Sequence, residues 1–225
     1  MIRSNTKADT QSISSGRNLE HARSWRRDTY RPAAILFADM IGFTRFCATN
    51  DPARVLTTLR HVLTLISDHV LAHGGSVEAI LGDGVMAAFY GSVLKSREAS
   101  AAVRCAIAVQ SAVDTWNRGT NRDPVKLAVG IHTGRVIVGS LDGIGPQRVI
   151  LGDTVNVASR VEGKCRDVNA TFLVTSQAVR KLAFEGESVM VKQLVNFGFH
   201  EIRGRDGHIQ LFGRSRKTSA LVRCA

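Results

Sequence analysis

The sequence predicts an α+β domain with a ferredoxin-like βαββαβ core, extended by further C-terminal strands and a helix. Two observations predict this fold class. Short apolar runs and runs with helical spacing follow one another in the order strand, helix, strand, strand, helix, strand. No segment repeats another, and 225 residues with 44% hydrophobic content are enough for one substantial core. Element order by itself leaves other α+β arrangements open.

The first half of the pattern is bounded by recognisable helix and turn signals. The apolar run of residues 33–39 predicts a buried strand that ends at an aspartate. Asp51-Pro52 predicts the start of an amphipathic helix, which a pair of glycines closes. The segments 76–81 and 85–90 predict a hairpin with Asp83 at its tip, because Asp-Gly is a strong hairpin signal.

The second half adds two helices and further strands. Residues 98–117 predict a helix with an Ala-rich face, and residues 153–162 predict another. Residues 126–132 and 135–140 predict a strand pair that turns at Thr133-Gly134. The remaining chain predicts short strands with one further helix.

Positive charge is concentrated at the two ends of the chain. The formal net charge is +11; residues 1–30 hold six Lys/Arg against three Asp/Glu, and residues 203–225 hold six against one. We expect residues 1–30 to be a flexible basic arm or linker, residues 31–213 to form the domain, and residues 214–225 to be a basic tail. Basic tails are commonly solvated, so no specific nucleic-acid partner is expected.

Composition excludes several other classes of protein. The four cysteines are far apart and lack C-x-x-C spacing, so neither a zinc site nor a disulfide framework is indicated. No apolar run approaches the ~20 residues that span a bilayer, and the N-terminus lacks the apolar region of a signal peptide. We expect a cytoplasmic domain with reduced thiols and no membrane insertion of this chain.

Two aspartates stand where a metal site could form. Asp39 ends a predicted strand and Asp83 lies at a predicted hairpin tip. If that strand pairs beside the hairpin, the carboxylates converge at one edge of the sheet and offer the hard oxygen ligands that Mg²⁺ or Mn²⁺ requires. The alternative is that Asp39 caps the following helix and Asp83 is only a turn residue.

A second pair of side chains suits phosphate chemistry. Asn156 and Arg160 are spaced i, i+4 on a predicted helix and so share one face. A guanidinium binds phosphate bidentately and stabilises charge that develops on a transferring phosphoryl group. The alternative is a surface helix with a solvated arginine.

Four motifs in order resemble those of the class III adenylyl/guanylyl cyclase catalytic domain. They are FADMIGFT, LGDGVMAAF, GIHTGRVIVGS and ILGDTVNVASRVE, and the resemblance covers roughly residues 31–213. It implies that Asp39 and Asp83 bind two Mg²⁺ or Mn²⁺ ions with the backbone carbonyl of Met40 assisting. It also implies that Asn156 orients the ribose and that Arg160 stabilises the transition state.

The resemblance also assigns substrate contacts. Phe43 and Thr44 close the first motif and are placed in the substrate site. The family's triphosphate-contacting lysine precedes a glycine, and here Arg203 precedes Gly204, so a planar fork replaces a point charge. The purine-reading positions hold Ala79 and Val149, which cannot hydrogen-bond a base edge.

Glu78 and His132 are further candidates for base recognition and for proton transfer. Strand alternation predicts that Glu78 faces away from residue 79 and does not replace the missing base contact. His132 lies in an apolar strand, where a histidine is more often structural than catalytic. The resemblance implies that Asp39 itself, or water, accepts the proton.

The resemblance implies a homodimeric cyclase that converts ATP, or alternatively GTP, to its 3′,5′-cyclic monophosphate and pyrophosphate. The family's active site lies between two catalytic domains, and each motif occurs once in this chain, so a two-fold homodimer is the simplest solution. The alternatives are a cyclase of relaxed or guanine preference, a catalytically silent dimerisation or nucleotide-binding module, and a nucleic-acid-binding protein.

Overall fold

The computed structural model describes residues 28–92, 96–119, 124–141, 147–203 and 207–216. Eight strands lie in these ranges: β1 (Thr29–Met40), β2 (Ser76–Leu81), β3 (Gly84–Tyr90), β4 (Leu127–Leu141), β5 (Gln147–Leu151), β6 (Ala170–Thr175), β7 (Val195–Glu201) and β8 (His208–Ser215). The helices described there are α1 (Phe43–Thr49), α2 (Pro52–Ala72), α3 (Glu98–Arg118), α4 (Asp153–Asp167), α5 (Ser176–Phe184) and α6 (Ser188–Lys192).

The strands form one sheet in the order β2-β3-β1-β4-β6-β8-β7, and β5 pairs with the second half of β4. The β4–β6 pair is parallel and the other pairs are antiparallel. The part β2-β3-β1-β4 with helices α2 and α3 is the ferredoxin-like core, so the predicted fold class is confirmed. Strands β6 to β8 and helices α5 and α6 are the C-terminal additions.

Helices cover the sheet from two sides. One core cluster contains Val62 and Ile66 of α2, Val103 of α3, and Leu36 and Phe89 of the central strands, all almost completely buried. Helix α4 packs on the opposite face through the apolar side of its own helix, which includes Val157, Ala158 and Val161. The two clusters enclose β1 and β4, which are therefore fixed in the middle of the sheet.

The expected turn at Thr133-Gly134 is wrong. β4 is one continuous strand that passes through this position. All of β1 pairs with it, from Thr29 opposite Val138 to Met40 opposite Leu127. Gly134 is explained by packing: a Cβ there would overlap the side chain of Thr154. The glycine therefore admits helix α4 and does not reverse the chain.

Three further elements differ from expectation. The short helix α1 was not predicted, α4 continues beyond Glu162 to Asp167, and two helices rather than one lie between β6 and β7. The expected basic arm and tail lie largely outside the described residues. Within the described ranges, no helix combines the length and the apolar character needed to cross a membrane.

Candidate active site

The end of β1 and the tip of the β2–β3 hairpin meet. Asp39 is the penultimate residue of β1, and Asp83 lies in the turn between β2 and β3. β1 pairs with β3 through Ala38 opposite Val85, which brings the following positions, Asp39 and Gly84, side by side. A Cβ on Gly84 would lie 3.0 Å from Asp39 Oδ1. The structure thus brings the two carboxyl groups together.

This proximity changes the acidity of Asp83. Burial, and then the charge of Asp39 and a hydrogen bond with its carboxyl group, raise the pKa of Asp83 from 3.8 to about 6. Two adjacent carboxylates repel each other when both are ionised. The pair therefore gains from a cation placed between or beside its oxygens.

A guanidinium supplies part of that positive charge. Arg166, in the last turn of α4, donates from Nη2 to Asp39 Oδ2 at 2.6 Å and from Nη1 to Glu162 Oε1 at 2.7 Å. Burial lowers the pKa of Arg166, but Glu162 and Asp39 outweigh that effect and raise it. Burial raises the pKa of Glu162 to about 7 against the opposing effect of Arg166.

Arg166 and Glu162 were missed in the sequence. The available signal was the i, i+4 pairing of a glutamate and an arginine on one helix, which predicts an ion pair but not its contact with Asp39. That contact depends on how α4 crosses the sheet. Only the tertiary structure supplies this information.

The start of helix α1 tests the alternative that Asp39 caps the following helix. Helix α1 is preceded by Gly42 in a left-handed conformation (φ 79°), and no side chain caps it. Asp39 therefore does not cap this helix. Met40 has a buried side chain, Phe43 is half-buried against the core, and Thr44 is exposed on α1.

The donor set suits a hard divalent cation. Asp39 and Asp83 offer only oxygen ligands, and Met40 offers only its backbone because its side chain is buried. No part of the described ranges, this site included, places three or more His, Cys, Asp and Glu around one metal position, so the two aspartates would hold a metal only together with other oxygen ligands. Mg²⁺ and Mn²⁺ are commonly held by one or two carboxylates plus substrate phosphates, so the residues present fit them.

Helix α4 carries the second predicted pair away from the carboxylates. Its residues Asn156 and Arg160 share one face, as expected, but Asn156 lies near the start of the helix and Arg160 at its middle, whereas Arg166 lies in the last turn. A rise of 1.5 Å per residue separates Asn156 from Arg166 by roughly 15 Å along the axis.

The sheet register also shows that the start of α4 lies away from Asp39. Asp39 pairs with Ala128 at the start of β4, whereas Thr154, in the first turn of α4, packs against Gly134 further along that strand. The structure therefore brings Asp39 and Asp83 together and does not bring Asn156 or Arg160 to them within one chain. Among the described residues neither Asn156 nor Arg160 has a hydrogen-bonding or ionic partner.

Arg203 lies toward the same side as Asn156. It directly follows β7 and Ile202, and its side chain is exposed. The pairing of β8 with β6 begins at Leu211, opposite Thr175. The β7–β8 hairpin extends past that point, because Glu201 pairs with His208. Because β4 and β6 run parallel, this hairpin turn points away from Asp39. Gly204 lies outside the described residues.

Comparison with known sequences decides the family. The sequence model described as "Adenylate and Guanylate cyclase catalytic domain" matches residues 26–212. The chain belongs to this family. This match confirms the recognition made from the four motifs. Cyclase domains of this family bind nucleotide substrates, use divalent metal and act as dimers.

Relatives of this cyclase domain include enzymes named for both purines. The chain is 33% identical over 160 residues to adenylate cyclase 1 of Rhizobium meliloti, a match that covers 69% of this chain and 24% of that protein. It is 29% identical over 149 residues to the receptor-type guanylate cyclase gcy-23 of Caenorhabditis elegans, covering 64% of this chain and 14% of that protein. The chain thus spans about a quarter or less of these two relatives.

A solved structure supports the fold. The crystal structure of the adenylyl cyclase CyaB from P. aeruginosa aligns with a TM-score of 0.70 at 22% identity, and the alignment covers 83% of this chain and 94% of that chain. The mixed α and β architecture with one large sheet is therefore that of known class III cyclases.

The strand at the expected base-reading position is irregular in this cyclase domain. Val77 pairs with Ala87 and Ala79 pairs with Met86, so Glu78 is an extra residue in a β-bulge. A bulge breaks the alternation of side chains, and the expectation that Glu78 faces away from Ala79 is wrong. Both lie on the face of β2 that is shared with Met86.

Glu78 takes part in a buried polar cluster with Tyr90 and Arg148. Tyr90 donates its hydroxyl to Glu78 Oε1 at 3.0 Å, and Arg148 Nη2 donates to that hydroxyl at 2.8 Å and lies 3.2 Å from Glu78 Oε1. Burial, and then the charge of Glu78, raise the pKa of Tyr90, so its hydroxyl remains a donor. Ser76 also donates to Glu78. Arg148 precedes Val149, which is half-buried on the opposite face of β5.

His132 has the surroundings of a structural residue. It is buried in β4, and its Nδ1 lies 2.8 Å from Thr175 Oγ1 on the neighbouring strand β6. This hydrogen bond links two core strands. Its burial and this contact agree with the structural role favoured from the sequence.

Proposed function

We propose that this chain is the catalytic domain of a purine nucleoside triphosphate cyclase, which acts on ATP at sites shared by two copies of the chain. One observation carries the proposal: Asp39 and Asp83 converge at one end of the sheet, while Asn156 and Arg160 lie toward the other end of the same chain. Two-fold association lets the carboxylates of one copy face the amide and guanidinium of the other.

The carboxylate end holds the metal ions in this proposal. Asp39 and Asp83 bind two Mg²⁺ or Mn²⁺ ions, assisted by the backbone carbonyl of Met40. Metal ions held there would lower the pKa of the ribose 3′-hydroxyl and offset the negative charge of the phosphates. Gly84 leaves space against Asp39 that a larger residue would fill. Asp39 or water accepts the hydroxyl proton.

The other end binds and stabilises the substrate. Asn156 of the second copy orients the ribose, and its Arg160 binds phosphoryl oxygens as negative charge develops on them. Arg203 contacts the triphosphate, and Phe43 and Thr44 line the site from the metal side. The 3′-oxygen forms a bond to the α-phosphorus, the bond from that phosphorus to the bridging oxygen breaks, and pyrophosphate leaves.

ATP is the first candidate substrate, and GTP is the second. Adenylate cyclase 1 of Rhizobium meliloti has the higher identity of the two relatives described above, which supports ATP. The Glu78 bulge favours GTP, because a carboxylate on the face of Ala79 can accept from the N–H groups of guanine while Arg148 donates to its O6. Ala79 and Val149 themselves add only apolar contact.

A direct assay tests the activity. Purified protein is incubated with ATP or GTP and Mn²⁺, and cyclic nucleotide and pyrophosphate are quantified. Cyclic nucleotide and pyrophosphate are expected in equal amounts, and chelator should abolish the formation of both. Absence of both products, with nucleotide still bound, would identify the chain as a silent nucleotide-binding module.

The two substrates are separated by a matched pair of variants. Glu78→Gln removes the charge in the bulge, whereas Glu187→Gln removes a charge that pairs with Arg104 elsewhere on the surface. If Glu78 contacts the base, its variant shifts the ATP to GTP activity ratio by about tenfold or more, and the Glu187 variant leaves the ratio unchanged. An unchanged ratio in both variants removes Glu78 from base reading and leaves ATP as the candidate.

A further inference from the structure

Arg166 occupies the carboxylate that the proposed function assigns to metal. Its Nη2 lies 2.6 Å from Asp39 Oδ2, and the Asp83 carboxyl group is in contact with Asp39 on the other side. A guanidinium bound to one carboxylate oxygen occupies one of the few lone pairs that a metal ion could use. A divalent cation at Asp39 would also be repelled by this fixed positive charge.

Glu162 is a second ion-pair partner for Arg166. Glu162 lies one turn earlier on α4 and accepts from Nη1 of Arg166 at 2.7 Å, through a nitrogen different from the one that contacts Asp39. The two contacts are therefore separable. The Arg166 side chain is 37% exposed, so it can rotate toward Glu162 alone without disturbing the core.

We propose that Arg166 is a tethered counter-cation, which neutralises the Asp39–Asp83 pair in the metal-free protein and withdraws to Glu162 when a divalent ion binds. Arg166 thereby lowers the affinity for metal, and Glu162 limits that loss. The inference rests on the proposed function, because that function places metal at Asp39. Arg166 is a positioning residue here, since it acts through Asp39.

A competing account is purely structural. Arg166 joins the end of α4 to the end of β1, and the same contacts would serve as a brace whether or not metal binds. The two accounts differ in what removal of Arg166 does to metal affinity. A brace leaves the affinity unchanged or weakens it, whereas a competing cation leaves the site tighter when it is removed.

The decisive measurement is a titration of the full chain with Mn²⁺ alone, in which free Mn²⁺ is followed by electron paramagnetic resonance. Arg166→Gln is compared with the wild type and with Lys164→Gln. Lys164 is the matched control because it is on the same helix turn but pairs with Asp167 at 3.0 Å. We expect Arg166→Gln to bind Mn²⁺ about three- to tenfold more tightly, and Lys164→Gln to change affinity less than about twofold. Equal or weaker binding by Arg166→Gln overturns the proposal.

Glu162→Gln supplies an independent test if Arg166→Gln folds poorly. Without Glu162, Arg166 has only Asp39 to pair with, so Mn²⁺ affinity should fall. The fall should be larger in the wild-type background than in the Arg166→Gln background, because part of it acts through Arg166. Equal effects in both backgrounds contradict the coupling.

Failure of this inference is distinguishable from failure of the proposed function. Cyclic product from the wild type with unchanged Mn²⁺ affinity in Arg166→Gln rejects the role of Arg166 alone. No cyclic product rejects the activity, yet tighter Mn²⁺ binding by Arg166→Gln would still support competition at Asp39. If none of the proteins binds Mn²⁺, both are rejected. Melting temperatures add a second readout: Mn²⁺ should raise the melting temperature of Arg166→Gln more than that of the wild type.

Discussion

The two ends of helix α4 differ in how their charged and polar groups are satisfied. At the C-terminal end, Arg166 binds Glu162 and Asp39, so each charge has a partner in the same chain. Toward the N-terminal end, Asn156 and Arg160 have no partner among the described residues. The C-terminal end of α4 is thus neutralised by ion pairs within the chain, whereas the polar groups toward its N-terminal end lack described partners. We call these the neutralised end and the incomplete end.

This contrast indicates how the site is divided. Buried or half-buried charges need partners to be tolerated, which explains the network around Asp39. Asn156 is exposed, and so is free to meet a ligand presented by another molecule. In the proposed function, the acids of one copy and the Asn156–Arg160 pair of a second copy complete the site.

The largest expected effect is at the neutralised end. Asp39→Ala should lower cyclase activity by about a thousandfold, because loss of the metal sites removes several kcal/mol of charge stabilisation. The measurement is the initial rate of cyclic product formation with saturating Mn²⁺. Asp167→Ala is the control, since Asp167 is an exposed carboxylate at the end of α4 that pairs with Lys164. Retained activity in Asp39→Ala is incompatible with catalysis at the carboxylate pair.

Mixing variants of the two ends should recover activity. Asp39→Ala and Arg160→Ala each damage both sites of a homodimer, but a mixed dimer collects both lesions in one site and leaves the other intact. An equimolar mixture should therefore reach about a quarter of wild-type activity, because about half of the dimers are mixed and each has one intact site of two. The rate of the co-refolded mixture is compared with that of each parent refolded alone. If mixed dimers form and stay inactive, catalysis must lie within one subunit.

Much of the fold followed from local patterns in the sequence. The Asp-Gly signal at residues 83–84 and the proline after Asp51 predicted the hairpin and the start of α2, because both depend on backbone geometry that those residues favour. The turn predicted at Thr133-Gly134 failed because the glycine is needed for close packing with Thr154. Period and turn chemistry cannot reveal such a tertiary contact.

Sequence motifs named candidate residues for the site, but they did not reveal how those residues are arranged. The motifs pointed to Asp39, Asp83, Asn156 and Arg160, and the convergence of the two aspartates followed from strand pairing. The pairing of Arg166 with Asp39 was not predictable, because it joins positions far apart in the sequence. The orientation of Glu78 was mispredicted because a β-bulge leaves no clear mark in the sequence.

The acidity of Asp83 predicts a moderate effect of pH. Its raised pKa, about 6 in the metal-free protein, means that Asp83 must lose a proton before it can bind metal. Mn²⁺ affinity should fall by up to about tenfold per unit as the pH drops below 6, and should level off only near about pH 8, because Glu162, whose pKa is raised to about 7, also ionises in this range. Folding has the opposite sign: the raised pKa favours the protonated folded protein, and this contribution is lost as the pH rises through about 6.

Titrations with Mn²⁺ at pH 5, 6, 7 and 8 measure the affinity. Asp83→Asn is the control, because it has no proton to lose at this position and should show a flatter dependence on pH, whatever its absolute affinity. A wild-type affinity that stays constant from pH 5 to 8 would contradict a role for Asp83 as a metal ligand with this acidity.

The smallest expected effect concerns stability at the incomplete end of α4. Asn156→Ala should change the free energy of unfolding by no more than about 0.5 kcal/mol, because the side chain is exposed and has no described partner. Thr154→Val, two residues away, is the matched comparison: Thr154 is buried and donates to the carbonyl of Arg135 at 2.8 Å, so its loss should cost about 1 kcal/mol. Urea unfolding followed by circular dichroism measures both variants, and the cyclase assay is run beside it. Asn156→Ala should be as stable as the wild type and yet impaired in catalysis, since its partner is the substrate. If Asn156→Ala is instead destabilised more than Thr154→Val, the residue supports the fold, and the difference between the two ends of α4 does not mark a shared active site.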